Sequence, residues 1–263
     1  MHGEVSLRGK QALVCGASAG IGRAAALALA AQGADVTVLA RSQDKLQALL
    51  PLLEQAGAGR TRALAADLDD RAALEERVRA HLAAHGPVHV LVNNAAGPGP
   101  GPLLEARAED FLATFSRHLL APHLLVQLLV PGMKQAGYGR IVNVISTSVR
   151  EPIPNLGVSN TVRAAVAGWA KTLSRELPPG VTINSVLPGF VETGRLASLA
   201  ETLAAKQGKR PEDVRASWVG MVPEGRLGRP EELGAVIAFL ASPAAAYVRG
   251  QCLAVDGGRL NGI

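Results

Sequence analysis

The sequence has few aromatic residues and very little cysteine. Phenylalanine, tryptophan and tyrosine make up 3% of the 263 residues, and Cys15 and Cys252 are the two cysteines. Both lie in apolar segments, where buried and reduced thiols are common. The scarcity of cysteine therefore favours a reducing, cytoplasmic location over an oxidising one.

Long apolar runs and blocks of like charge are also missing. The longest apolar run, 119–130, is interrupted by Pro122, His123 and Gln127, and the opening MHGEVSLRGK has no apolar core. Neither a membrane span nor a signal peptide is therefore expected. The formal net charge is +5 and the pI is near 9.6, but the basic residues are scattered over the whole length. Scattered charge is typical of a solvated surface, so neither nucleic acid nor a membrane is expected as a partner.

The composition that remains suits a globular protein. Hydrophobic residues form 48% of the chain and charged residues 19%. This length is enough for one domain with a large core, so we predict a single domain over 1–263.

A glycine-rich stretch, VCGASAGIG at 14–22, follows the first apolar run. Gly16 permits a tight turn, Gly20 lets a phosphate approach the backbone, and Gly22 lets a helix pack against the strand. The positive end of that helix would face a pyrophosphate. The pattern predicts a dinucleotide-binding turn. The alternative is an ordinary glycine-rich turn, because the spacing is G-x-x-x-G-x-G and not the commoner G-x-G-x-x-G.

Apolar and amphipathic segments alternate along the chain. Pro122 predicts a bend in a long helix at 109–133, and the more polar segment 190–225, with Trp218 and Met221, is predicted to be a lid over a substrate pocket. The alternation predicts an α/β fold, a Rossmann-like, doubly wound parallel sheet of seven strands with helices on both faces. Strands are predicted at 11–15, 34–40, 61–65, 88–92, 140–145, 181–187 and 251–255, and further helices at 20–32, 42–55, 70–85, 158–177 and 231–240.

The end of the second predicted strand indicates which nucleotide binds. A carboxylate there would accept hydrogen bonds from the adenosine ribose of NAD, whereas an arginine suits the 2′-phosphate of NADP. The chain has Arg41 at this point, so NADP is preferred over NAD, although Arg41 could instead begin a surface helix. Asp67 follows the third strand, where it could receive the adenine amino group. Alternatively Asp67, Asp69 or Asp70 could cap the next helix.

Two amides, Asn93 and Asn94, follow the fourth predicted strand and could brace neighbouring strands. Together these motifs resemble those of the short-chain dehydrogenases/reductases over essentially the whole length. The matching stretches beyond the glycine turn are Asp67, 93–97 (NNAAG), 139–143 (GRIVN), Asn184, 188–189 (PG), Thr193, 228–232 (GRPEE) and 255–258 (VDGG). The resemblance implies no metal and a pyridine nucleotide held by Gly16, Ser18, Gly20, Ile21, Gly22, Arg41, Asp67, Leu68, Asn94, Ala95, Arg163, Pro188, Gly189 and Thr193.

The resemblance also implies a catalytic group of Asn, Ser, Tyr and, four residues after the Tyr, Lys. In this family hydride passes between nicotinamide and a carbonyl or alcohol carbon, while the tyrosine exchanges a proton with the substrate oxygen. The lysine ammonium favours the phenolate and so lowers the tyrosine pKa. In this chain the serine position is Ser146, the tyrosine position is Ser159, the lysine position is Arg163 and the asparagine position is His118.

These exchanges alter the chemistry unevenly. Arg163 keeps a positive charge and lies one helical turn from Ser159, so it can hold the nicotinamide ribose. Ser159 is an aliphatic hydroxyl that needs an adjacent base to ionise. His118, with an intrinsic pKa of about 6.5, is the candidate for proton exchange near neutral pH. The alternative is that His118 only satisfies a backbone carbonyl or water, and Ser146 could be only a strand-end hydroxyl.

Three functions remain open on the sequence. We favour an NADP-dependent oxidoreductase for a carbonyl or alcohol, with 3-oxoacyl compounds among the candidates, because of the family resemblance. Ser146 would hold the substrate oxygen, and His118 or a water relayed through Ser159 would supply the proton. The alternatives are a protein that binds or senses NADP(H) without turnover and, less favoured, a lyase or isomerase that uses the cofactor structurally. Neither tyrosine, Tyr138 nor Tyr247, is expected to reach the nicotinamide.

The resemblance implies partners as well as an activity. It implies a small-molecule substrate and a homodimer or homotetramer. The expected contacts between subunits are the helices at 109–133 and 158–177 and the C-terminal strand, whose apolar sequence QCLAV fits such a contact.

Overall fold

The computed structural model describes residues 5–262. Residues 1–4 and 263, which fall within the predicted single domain, lie outside the described residues, as does the start of the opening MHGEVSLRGK. The described chain folds around one sheet of seven parallel strands in the order β3-β2-β1-β4-β5-β6-β7. This confirms the predicted doubly wound, Rossmann-like α/β fold.

The strands follow the short apolar runs of the sequence. Because a parallel sheet is covered on both faces, its central strands are buried along their whole length and rich in apolar residues. β4 and β6 are buried at every position. The bounds are β1 Gln11–Cys15, β2 Asp35–Ala40, β3 Thr61–Ala65, β4 Val90–Asn93, β5 Gly139–Val144, β6 Val181–Pro188 and β7 Cys252–Val255.

Nine helices of the described chain connect or flank these strands. One apolar core lies between the sheet and α1, α2 and α9, and a second lies between the other face and α3, α5 and α6. The bounds are α1 Gly20–Ala31, α2 Gln43–Ala56, α3 Arg71–His85, α4 Ala108–Phe115, α5 Ala121–Gln135, α6 Gly157–Glu176, α7 Gly194–Gln207, α8 Pro211–Val219 and α9 Pro230–Ala241.

The helix predicted as one unit at 109–133 is divided. α4 ends at Phe115, a π-helical turn spans Ser116–Leu120, and α5 begins at Ala121. The predicted bend at Pro122 therefore takes the form of a widened turn just before the proline. Pro122 has no N–H, so an unbroken α-helix through this point would lose the hydrogen bond to the carbonyl four residues earlier. That residue is His118, one of the predicted site residues.

The segment 190–225 forms α7, α8 and the loops beside them. It has a small apolar core of its own, which includes Leu196, Val214 and Trp218. The ring of Phe190 stacks on Trp218 with 5.3 Å between the centroids. The helical content predicted for this segment is confirmed, and its role as a lid stays a prediction.

The two cysteines differ in their environment. Both are free thiols, but Cys15 is buried in β1 whereas Cys252 is only partly buried in the edge strand β7. The expectation of burial therefore holds for Cys15 alone. Burial raises the pKa of the Cys15 thiol to about 12, which makes it unreactive at neutral pH.

Within residues 5–262, every helix is too short or too polar to cross a lipid bilayer.

Candidate active site

The glycine-rich turn after β1 leaves room that only glycine provides. Gly16 and Gly20 adopt positive φ angles of 60° and 55°, in the left-handed region that favours glycine. A Cβ on Gly22 would lie 2.2 Å from the carbonyl oxygen of Gly16, so the helix and the turn touch backbone to backbone. Ser18 lies in this turn, and Ile21 lies in the first turn of α1.

The N-terminus of α1 is open toward this turn. Its N-cap residue, Ala19, makes no side-chain hydrogen bond, and the first turn of α1 contains no acidic residue. The first N–H groups of a helix have no partner within the helix and carry partial positive charge. Such an uncapped helix end next to a glycine turn fits a diphosphate group.

Two amides hold the neighbouring strand ends in place. Asn94 Nδ2 donates to the carbonyl oxygen of Gly16 at 3.3 Å and to that of Cys15 at 3.5 Å. Asn93 Nδ2 donates to Asn143 Oδ1 on β5 at 2.9 Å. The predicted bracing by the two amides is confirmed, and it ties β1, β4 and β5 together at the end where the glycine turn lies.

The predicted adenosine contacts lie at the ends of β2 and β3. Arg41 is exposed directly after β2. Asp67 Oδ1 accepts from the backbone N–H of Asp69 at 3.0 Å, while Asp70 caps α3 through Ala73. The capping role that the sequence left open among three aspartates therefore belongs to Asp70. Leu68, Asn94 and Ala95 line one small cavity together with His118.

The residues that follow β6 lie opposite the glycine turn, and the two segments form the walls of a cleft. Gly189 directly follows Pro188, the last residue of β6. Its N–H donates to the carbonyl oxygen of Val255 at 3.1 Å. Thr193 caps α7, because its hydroxyl accepts from the N–H of Leu196 at 3.2 Å. A Cβ on Gly20 would lie 3.2 Å from Thr193 Cγ2, so this wall faces the glycine turn directly.

Ser146 follows β5 at the carboxyl end of the strands, where the glycine turn also lies. Its Oγ accepts the N–H of Ser148 at 3.0 Å and so begins a short 3₁₀ turn, Thr147–Val149. The side chain is partly exposed. The hydroxyl hydrogen is therefore available for a second partner.

Arg163 and Ser159 share one face of α6, as predicted. Arg163 Nε donates to Ser159 Oγ at 3.2 Å, and its Nη1 donates to the carbonyl oxygens of Val144 at 3.2 Å and Ile145 at 2.8 Å. Loss of solvent on burial lowers the pKa of Arg163 to about 10, and the positive charge of Arg195 also lowers it. Arg163 therefore stays protonated at neutral pH and is fixed beside the residue that precedes Ser146.

His118 lies in the π-helical turn and is buried. Its Nε2 is 3.0 Å from the carbonyl oxygen of Ala96, so we assign the hydrogen to Nε2. Burial is the main cause that lowers the pKa of His118 to about 3, and the positive charge of Arg163 adds to it. The expectation that His118 titrates near neutral pH is therefore wrong, because the folded chain removes water from the ring.

Both tyrosines lie elsewhere, as predicted. Tyr138 precedes β5, at the amino end of the strands, and its hydroxyl donates to the carbonyl oxygen of Ala241 at 2.5 Å. Lys10 and Arg140 lie over its ring at 4.4 Å and 4.2 Å from the centroid. Tyr247 is fully exposed.

Sequence reasoning missed an ion pair beside the site. Arg117, next to His118, pairs with Asp69, with Nε at 2.9 Å from Oδ1. The two residues are far apart in sequence, and no local pattern links them. Sequence reasoning also missed that Arg195 meets Arg163 beside Gly97, because three separate segments bring these residues together.

Known proteins resemble the chain over nearly its full length. A family model described as Enoyl-(Acyl carrier protein) reductase matches residues 16–259. The 3-oxoacyl-[acyl-carrier-protein] reductase FabG of Vibrio cholerae is 36% identical over 257 residues, which cover 97% of this chain and 98% of the relative. The NADPH-dependent reductase BacG of Bacillus subtilis is 31% identical over 259 residues, with 97% and 99% covered.

Solved structures agree with these relatives. The L-sorbose reductase of Gluconobacter frateurii, complexed with NADPH and L-sorbose, superposes with a TM-score of 0.92 at 29% identity, and the match covers 99% of this chain and all of that one. A short-chain type dehydrogenase/reductase of Mycobacterium marinum is 31% identical with a TM-score of 0.86, and 98% of each chain is covered. The fold, the motifs and these similarities show that the chain belongs to the short-chain dehydrogenase/reductase family.

Proposed function

We propose that this protein is an NADP(H)-dependent oxidoreductase that acts on a carbonyl or alcohol substrate, with 3-oxoacyl compounds among the candidates. The single observation that carries the proposal is the open, uncapped N-terminus of α1, which packs so closely on the glycine turn that Gly22 admits no side chain. The relatives support the direction of the chemistry, because they are described as reductases and one of them as NADPH-dependent.

The residues of the cleft fit the nucleotide in the family's order. The turn from Gly16 to Gly22, including Ser18, Gly20 and Ile21, would hold the diphosphate. Arg41 would pair with the 2′-phosphate, which favours NADP over NAD. When bound, NADPH supplies the hydride. The remaining contacts are Asp67 and Leu68 to the adenine, Asn94, Ala95 and Arg163 to ribose, and Pro188, Gly189 and Thr193 to the nicotinamide.

The proton side of the site is atypical in this proposal, because Ser159 and Arg163 stand where the family has Tyr and Lys. The Arg163 Nε hydrogen bond occupies a lone pair of Ser159 Oγ, so the serine hydrogen is directed away from Arg163. Ser159 and Ser146 would then donate hydrogen bonds to the substrate oxygen and stabilise the negative charge that forms there. A water would deliver the proton, because neutral His118 cannot do so at physiological pH. His118 is a positioning residue in this proposal.

The segment 190–225 would close over the substrate as a lid. Its first helix, α7, is capped by Thr193 at the cleft wall, and the segment has its own core around Trp218, so it can move as a unit. We also propose a homodimer or homotetramer that uses α4, α5, α6 and β7. Leu253 of β7 is 41% exposed in the single chain, which such a contact would cover.

The test is hydride transfer from NADPH, followed by nicotinamide absorbance, across ketones, 3-oxo esters and oxo acids. We expect substrate-dependent oxidation of NADPH. Removal of one hydroxyl in Ser159→Ala or Ser146→Ala should lower kcat by about a hundredfold to a thousandfold, since each donates to the developing oxyanion.

Thr161→Ala is the matched control on α6. Its hydroxyl is exposed and returns to the carbonyl oxygen of Gly157 at 2.9 Å, so we expect an unchanged rate. Tight NADPH binding without oxidation by any member of the panel would favour the alternative, a protein that binds or senses the nucleotide.

A further inference from the structure

Two arginines face one spot beside the loop that follows β4. Arg163 comes from α6, and Arg195 comes from the first turn of α7. A Cβ on Gly97 would lie 3.4 Å from Arg163 Nη2 and 3.7 Å from Arg195 Nη2. Both guanidinium groups therefore border the same small volume of the cleft, next to Ser159.

Neither arginine has a carboxylate partner among residues 5–262. Arg163 binds Ser159 and two main-chain carbonyls, and Arg195 donates to the carbonyl oxygen of Pro98. Among the other arginines of residues 5–262, some pair with a carboxylate within 4.0 Å and the rest do not; those that do are Arg79, Arg107, Arg117, Arg210, Arg215, Arg226 and Arg229.

Two acidic side chains, one of them three residues before Arg195 in the chain, are paired with other arginines. Glu192 pairs with Arg215 at 3.4 Å, and Asp69 pairs with Arg117. The N-terminus of α7 adds positive potential at Arg195, because the helix begins at Gly194. Two cations held side by side repel each other, and the positive charge of Arg195 is one cause of the lowered pKa of Arg163. An anion placed between them would remove this repulsion.

We propose that Arg195, with the charge of Arg163 behind it, binds a carboxylate on the substrate. This inference rests on the proposed function. Arginine binds carboxylates through two parallel N–H donors, which also fixes their orientation. Since Arg163 donates a hydrogen bond to Ser159 at 3.2 Å, a carboxylate beside Arg163 would lie close to a carbonyl that Ser159 holds. The substrate class is therefore a short oxo acid that carries its own carboxylate.

The experiment compares acetoacetate with methyl acetoacetate, which lacks the charge. Each is titrated by calorimetry into the protein saturated with NADP⁺, so that no turnover is needed. We expect the acid to bind at least about tenfold more tightly than the ester. Arg195→Gln should abolish this preference and change the affinity for NADP⁺ by less than about twofold, and Arg195→Lys should keep part of the preference.

Arg79→Gln is the control, because Arg79 is exposed on α3 and paired with Glu75. It should keep the full preference for the acid. Equal binding of acid and ester overturns the inference. So does an Arg195→Gln variant that keeps the preference but binds NADP⁺ at least about tenfold more weakly, which would assign the arginine to the cofactor diphosphate. A lack of NADPH oxidation would count against the proposed function and leave this binding result intact.

Discussion

The nucleotide side and the reaction side of the cleft differ in what they are made of. On the nucleotide side, β1, α1 and the turn between them present backbone atoms, with Gly22 packed against the carbonyl of Gly16. On the reaction side, β5, α6 and the π-helical turn present side chains, namely Ser146, Ser159 and His118. The first set of contacts depends on the space that glycines leave, and the second depends on which functional groups are present.

In our proposal, this difference explains how one half can keep the family pattern while the other departs from it. An uncapped helix N-terminus attracts a diphosphate through its backbone N–H groups, so it needs no particular side chain there. Proton transfer, in contrast, needs a group whose pKa suits the working pH. Arg163 stays charged and His118 stays neutral at physiological pH. In our proposal the chain therefore binds nucleotide in the family manner and handles the substrate oxygen with hydroxyls.

The largest effect is expected where the backbone contact is tightest. Gly22→Val would drive a side chain into the carbonyl of Gly16, 2.2 Å from the position of the new Cβ. We expect NADPH affinity to fall more than about a hundredfold, because α1 must move away from the turn. Fluorescence titration of NADPH measures this, with circular dichroism to confirm that the variant is folded.

Gly168→Ala is the control for that variant. Gly168 lies on the exposed face of α6, and a Cβ there meets no atom within 4 Å. Alanine should stabilise the helix by about 0.5–1 kcal/mol and leave NADPH binding unchanged. Normal NADPH binding by Gly22→Val would show that the turn does not hold the nucleotide.

The second prediction restores the family's groups on the reaction side. In the double variant Ser159→Tyr with Arg163→Lys, a phenol and an ammonium again lie one helical turn apart. We expect the reduction of a neutral ketone to rise by about a hundredfold, because general acid catalysis contributes effects of that size. Rates of NADPH oxidation measure it. Ser159→Phe with Arg163→Lys fills the same space without a hydroxyl, and an equal rise in both variants would rule out the phenol as its cause.

The sequence was a good guide to the fold because its signals are local. Short apolar runs bounded by glycine turns predicted β1 and β3 with the bounds that the structure has. The division of 109–133 was missed, since an apolar helical pattern continues through Pro122 and does not distinguish a kink from a widened turn.

The site was predictable in outline but not in its electrostatics. The helical spacing was enough to place Arg163 on the same face as Ser159. The pKa of His118 was not predictable, because it depends on burial among segments distant in sequence and on the charge of Arg163. The meeting of Arg195 with Arg163 at Gly97 likewise arises only when α6, α7 and the loop after β4 come together.

A smaller effect concerns stability at low pH. Because the pKa of folded His118 is about 3 and that of an unfolded histidine about 6.5, the unfolded chain alone binds this proton between the two values. Stability is therefore full above about pH 6.5 and falls on acidification, by about 2 kcal/mol at about pH 5 for this residue. In denaturant unfolding at about pH 6.5 and about pH 5, His118→Asn should lose less stability on acidification than the unaltered chain. Ser174→Ala, a buried substitution without a titrating group, should keep the full loss, and an unchanged slope in His118→Asn would contradict the buried, neutral ring.

The smallest effect is expected from a proposed nucleotide contact made by an exposed side chain. Arg41 is exposed after β2, so solvent screens its charge. Arg41→Ala should weaken NADPH binding by about fivefold to tenfold at low salt, less at high salt, and leave NADH binding unchanged. Arg60→Ala, an equally exposed arginine before β3, serves as the control. An equal loss of affinity for NADPH and NADH would mean that Arg41 acts only through its positive charge and does not recognise the 2′-phosphate. The preference for NADP over NAD would then have to come from the backbone contacts of the cleft.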